Sequence, residues 1–138
     1  MKPLLFLVAD YANITGEGKL NVMGIFNSIS SFNFPARHSS MYLIAKLSPE
    51  LSEYGQKRSF TILLMDADAN HVLEVSGEFD IPKGQDGKKP EVNIMFEMKD
   101  VVFTKPGRYV FVLLIDKDQK DEITLHVNQI EHPKPPKE

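Results

Sequence analysis

HVLEVSGEFDI, residues 71–81, is the stretch that decides the fold class. Leu73, Val75, Phe79 and Ile81 fall on one side of an extended chain, and Glu74, Ser76, Glu78 and Asp80 on the other. A period of two with one apolar and one wet face belongs to a strand in an antiparallel sheet. The preceding Asp66-Ala67-Asp68-Ala69-Asn70 is a turn, because Asp and Asn side chains bond nearby backbone groups. It joins this strand to Lys57–Asp66, where Phe60, Ile62 and Leu64 share a face.

The same period recurs in both directions. Met41, Leu43, Ala45 and Leu47 form one apolar face; Val92, Ile94, Phe96 and Met98 form another, continued by Val101–Phe103 after a break at Lys99-Asp100. Ile123, Leu125 and Val127 mark the last strand. Leu4–Ala9 and Arg108–Asp116 (RYVFVLLID) are apolar on both faces, which predicts central strands. Leu20–Phe34 reads as one long irregular strand region, with Gly24 marking a bulge or a close backbone approach. Loops are expected at 15–19, 35–40, 82–90, 104–107 and 116–122. Ser48–Gly55 is the only helical candidate, with Ser48 as N-cap and Pro49 at the first helical position. The prediction is an all-β chain: an antiparallel β-sandwich, Ig-like or C2-like, of about eight or nine strands and at most one short helical turn. A single domain over 1–131 is expected, with HPKPPKE (132–138) as a flexible Pro/Lys tail.

The 138 residues carry 16 Lys and Arg against 19 Asp and Glu, a net charge of −3, with 42% apolar residues. That balance is globular and argues against a general nucleic-acid binder, which carries a basic excess. With no Cys, disulfides and thiolate chemistry are excluded. The apolar run Pro3–Ala9 is at the lower limit for a secretion signal and lacks a small-x-small site, so it reads as a buried strand. No apolar run approaches the ~20 residues of a membrane helix. A cytoplasmic protein with no membrane partner is expected.

Ala9-Asp10-Tyr11-Ala12, followed by Gly18-Lys19-Leu20-Asn21-Val22-Met23-Gly24, resembles the opening of a family of uncharacterised bacterial proteins of this length. Leu64-Met65-Asp66, Gly77-Glu78-Phe79 and Pro106-Gly107-Arg108-Tyr109 extend the resemblance over nearly the whole chain. It implies a small stand-alone β-sandwich domain of unknown function, and it brings no activity with it.

Few residues suggest chemistry. Asp66-x-Asp68-x-Asn70 begins like a calcium loop, but its sixth position is His71 and its twelfth Gly77, where such a loop needs Gly and Glu. A second acidic turn holds Asp116 and Asp118; both turns at one end of the sandwich would let Asp66, Asp68, Asn70, Asp116 and Asp118 share a Ca²⁺ ion. His38, His71, His126 and His132 have no paired ligand spacing. No Gly-x-Ser-x-Gly occurs, and Gly16-x-Gly18 precedes a strand rather than a helix, so no enzyme and no required cofactor is predicted. What remains is the sheet itself. The leading expectation is a non-enzymatic interaction or structural module that meets a protein partner or a second copy through a sheet edge, or through Phe26, Phe32 and Phe34. The alternative is a small-ligand or Ca²⁺-binding module at the acidic turns.

Overall fold

A computed structural model describes residues 1–85 and 87–131. The expected tail at 132–138 and Asp86 lie outside the described residues. Among the described residues nine strands follow one another: β1 (Lys2–Ile14), β2 (Leu20–Phe26), β3 (Ser28–Ser31), β4 (Ala36–Ser48), β5 (Lys57–Met65), β6 (His71–Asp80), β7 (Val92–Phe103), β8 (Gly107–Ile115) and β9 (Asp118–Gln129). The only helical element among the described residues is a 3-10 turn at Leu51–Glu53. Its N-cap is Glu50, not Ser48, and Glu50 and Glu53 cap each other reciprocally.

The strands form a β2-β1-β4-β7 sheet and a β3-β9-β8-β5-β6 sheet. Every pairing is antiparallel except the short β3–β9 pair, which is parallel. The doubly apolar segments lie in β1 and β8, both interior to their sheets as expected. One core lies between the sheets: Phe6, Val8, Met41, Leu43 and Phe103 from the first pack with Ile62, Leu64, Phe111, Leu113 and Leu125 from the second. At about 25 cal/mol per Å² of apolar surface, burial of this kind is the dominant stabilising contribution.

The crossing from β7 to β8 is held by Tyr109. Its hydroxyl donates to the Lys105 carbonyl at 2.7 Å, and its ring meets Phe103 edge-on with centroids 4.9 Å apart. Asp100, with φ +55°, interrupts β7 where the break at Lys99-Asp100 is expected. Gly24 has φ +72°, and the Asp10 side chain occupies the space a Cβ there would need, which is the close approach its place in a strand suggests.

Three further expectations fail. The loop at 35–40 is largely strand, because Ala36, Arg37, His38 and Ser40 pair with Phe103, Val102, Val101 and Lys99. The acidic turn at 116–122 is much shorter: Asp116 and Lys117 turn the chain with positive φ, and β9 begins at Asp118. The region 20–34 is not one strand but two, which belong to different sheets.

Candidate functional site

β2 ends at Phe26, opposite Val8 of β1. One residue later the chain has changed sheets: β3 starts at Ser28 beside His126, and the Asn27 carbonyl accepts the His126 N–H at 2.8 Å. Phe26 and Ile29, on either side of this arch, pack on the core and anchor it. β3 then doubles back: a recess of about 300 Å³ places Ser28, Ile29 and Ser30 beside Asp10 and His38, towards the C-terminal end of β1.

The arch leaves two strand edges bare. β2 covers β1 only from Val8 onward, and β3 covers β9 only from His126 to Gln129. Beside Lys2–Leu7 of β1, and beside Asp118–Leu125 of β9, no strand lies in the lane among the described residues. These two segments face each other across the flank of the sandwich, where a groove of about 520 Å³ opens between Phe6, Leu7 and Val8 on one wall and Ile123, Thr124 and His126 on the other. Ile25, Phe26 and Asn27 of the arch close its upper end.

The groove combines an apolar floor with main-chain groups. The His126 N–H points to the β3 side, and backbone direction alternates along a strand, so the backbone groups of Thr124 and Glu122 point into the lane. The Asp121 carboxylate takes the Glu122 N–H at 2.8 Å. Across the groove, Pro3 brings no N–H, and the register slips between Pro3 and Leu5. A proline, a register slip and a self-satisfied donor are devices by which edge strands avoid indiscriminate pairing. Thr124 remains as the point where a guest strand would find both a donor and an acceptor.

The predicted acidic site does not assemble. β5 and β8 are antiparallel neighbours, with Phe60 opposite Ile115 and Met65 opposite Val110. The turn after β5 and the turn after β8 therefore lie at opposite ends of the pair, about 20 Å apart at 3.3 Å per residue. Asp66, Asp68 and Asp116 are each taken up by partners at their own end of that pair. Asp66 Oδ1 accepts the N–H groups of Asp68 and Asn70, both at 2.9 Å. These bonds, the Asn70 N–H first, hold its carboxyl below the usual range. Asp68 pairs with Lys105 at 2.9 Å. Asp116 Oδ1 accepts the Ser59 N–H at 3.0 Å and its Oδ2 meets Arg58 at 3.1 Å; the Ser59 N–H above all keeps its carboxyl low. The Asn70 side-chain amide donates to Asp66 Oδ2 at 3.2 Å, Asp118 opens β9 beside the other turn, and no group of three His, Asp or Glu among the described residues is placed to hold a metal.

Nor do Phe26, Phe32 and Phe34 make one exposed surface. Phe26 and Phe34 lean on the core, while Phe32 is 40% exposed and its carbonyl accepts the Gln129 side-chain amide at 3.2 Å. A small sandwich needs its aromatic rings inside.

Two features escape the sequence reading. One is the empty lane, which no single strand encodes. The other is an apolar outer face on the first sheet. Leu7, Ile44 and Met95 stand in one row across β1, β4 and β7, with Ala9 and Tyr42 in the next, and they form a cluster separate from the main core. Its signal was present in the sequence as Tyr42 and Ile44, the apolar residues between Met41, Leu43 and Ala45.

Residues 4–128 match the model of a family of unknown function, DUF6941, and the chain belongs to that family. The resemblance read from the ADYA and GKLNVMG segments is thereby confirmed. No curated protein matches the chain. Among solved structures it is similar to the alkylpurine DNA glycosylase AlkC of Pseudomonas fluorescens bound to DNA containing an abasic site analog, with TM-score 0.47 and 12% identity over 88% of this chain. The match spans only 30% of the glycosylase chain. It is also similar to the sensor domain of the anti-sigma factor RsgI4 of Pseudobacteroides cellulosolvens, with TM-score 0.40 and 12% identity over 96% of this chain and 98% of that one. Likeness at these levels carries no argument about activity. No helix among the described residues is long and apolar enough to cross a membrane.

Proposed function

We propose that the protein is a non-enzymatic binding module that takes an extended segment of a partner protein as an added strand in the lane between β1 and β9. The observation that carries this reading is the sheet switch at Asn27, which leaves both edges bare beside an apolar groove. Strand addition draws affinity from main-chain hydrogen bonds and specificity from pockets for alternate side chains. Thr124 offers the first, and Phe6, Val8 and Ile123 the second. A guest with apolar residues at every second position fits this groove; nucleic acid, with its phosphates, does not. A cytoplasmic location belongs to the same proposal.

The test uses a displayed library of random seven-residue peptides. Selected peptides should shift the backbone amide resonances of 2–8 and 118–126, and Thr124→Pro should abolish binding. Proline there leaves the β8 ladder intact, because the Thr124 N–H points into the lane. Failure to select any peptide, or shifts that map to another surface, would overturn the reading.

A further inference from the structure

Four strands end the two sheets: β2 and β7 in the first, β3 and β6 in the second. Three of them carry protection against pairing. β6 presents Glu74, Glu78 and Asp80, β7 presents Glu97, Lys99 and the left-handed Asp100, and β3 is four residues long. β2, Leu-Asn-Val-Met-Gly-Ile-Phe over residues 20–26, also has one left-handed residue, Gly24, but no charged side chain. Its Met23 and Ile25 are 65% and 63% exposed. Ile25 stands opposite Ala9 and Met23 opposite Tyr11, so both sit on the outer face of the first sheet, flush with the Ala9–Tyr42–Ile44 cluster.

We propose that β2 pairs antiparallel with β2 of a second copy of this chain, so that two four-stranded sheets join edge to edge. In an antiparallel twofold pair with its axis beside Gly24, Met23 of one strand faces Ile25 of the other, and like charges directly across a strand pair repel. Self-pairing of β6 about Ser76 sets Glu74 against Glu78, carboxylate against carboxylate. β2 sets Met23 and Ile25 against the same two residues, an apolar cross-strand pairing. A partner selected by charge finds nothing to read on this edge, whereas an identical strand meets no penalty. The surface is the far edge of β2 and leaves the β1–β9 lane free. A seven-residue pair with these side chains lies at the small end of specific interfaces, so the dimer is concentration-dependent.

Light scattering on a sizing column over a wide concentration range tests this. The mass should rise from 15.6 kDa towards twice that value. Met23→Lys and Ile25→Lys, both at exposed positions, should each hold it at the monomer value without lowering the melting temperature. The native chain has no Cys, so Met23→Cys and Ile25→Cys each supply a single thiol; oxidising a mixture of the two variants should cross-link position 23 to position 25, and Glu74→Cys on β6 should stay uncross-linked. A monomeric mass at every concentration overturns the proposal, and so does a dimer that survives both lysine substitutions.

Discussion

Tyr109→Phe removes one oxygen atom from a ring that stays in place, and its cost can be worked from the structure. The ring is buried, its hydroxyl donates to the Lys105 carbonyl at 2.7 Å, and its edge meets Phe103. The substitution keeps the ring contact and leaves only an oxygen-sized gap, so the hydrogen bond is the dominant loss. A net bond is worth about 1 kcal/mol, and a partly buried carbonyl left without a donor raises the total to about 1–2 kcal/mol. For a chain of this length the unfolding entropy is roughly 0.29 kcal/mol per degree, so the melting temperature should fall by about 3–7 °C. Tyr109→Ala should cost about 3–5 kcal/mol, because it also empties the ring's place in the core. Urea unfolding and calorimetry read both variants. Tyr11→Phe, on an exposed ring, is the control and should change nothing. If Tyr109→Phe melts within a degree of the parent, or changes the urea slope rather than the midpoint, the clamp at the β7–β8 crossing is not what the geometry implies.

The Asp66 carboxyl is held below its usual pKa by the Asn70 and Asp68 N–H groups, so its folded-state pKa is depressed. The stabilisation it brings is complete above the ordinary carboxylate value near 4 and is lost as pH falls through that value to the lower folded one. Asp66→Ala should therefore melt lower at pH 7 and decline less steeply in acid than the parent; parallel Tm-versus-pH curves would contradict this. Phe26→Ser should cost about 2–4 kcal/mol by urea unfolding, because it strips a core-packed ring, whereas Phe32→Ser should stay within about 1 kcal/mol. Gly24→Ala should destabilise by more than about 1 kcal/mol: the position has φ +72°, and the new Cβ would lie 2.5 Å from Asp10 Oδ2. Added Ca²⁺ should leave the melting temperature unchanged; a rise of several degrees would reveal a site that the opposed acidic turns do not explain, since a ligand of the folded state must stabilise it.

What was legible in the sequence is what a single strand records about its own two faces. The alternation of Leu73, Val75 and Phe79 with Glu74, Ser76 and Glu78 is β6 as it stands, and the unbroken apolar runs in β1 and β8 foretell their interior places. The failures concern relations between strands. Arg37-His38-Ser39-Ser40 reads as loop because nothing polar in it announces a partner, yet the partner is Lys99–Phe103, some sixty residues away. Phe26 and Ile29 read as one apolar region because both pack on the same core; the change of sheet at Asn27 leaves that composition untouched. The acidic turns looked like partners by composition, but antiparallel pairing of β5 with β8 necessarily sends their following turns to opposite ends.

The same reasoning explains why the candidate site could not be read as a motif. A bare lane is the difference between three registers: where β2 stops along β1, where β3 starts along β9, and how β1 and β9 face each other. None of these is carried by a residue type, and shifting any one of them by a few residues would fill the groove. The residues that hold the lane open are consequently ordinary core residues, Phe26 and Ile29, acting through the arch they anchor. Lengthening β3 backwards, by inserting residues after Asn27 that pair with Thr124 and Glu122, should occupy the lane without disturbing the core. Such an insertion should abolish peptide selection while leaving β2-mediated dimerisation intact. Loss of both together would mean that the arch, rather than the lane or the β2 edge, is the element a partner recognises.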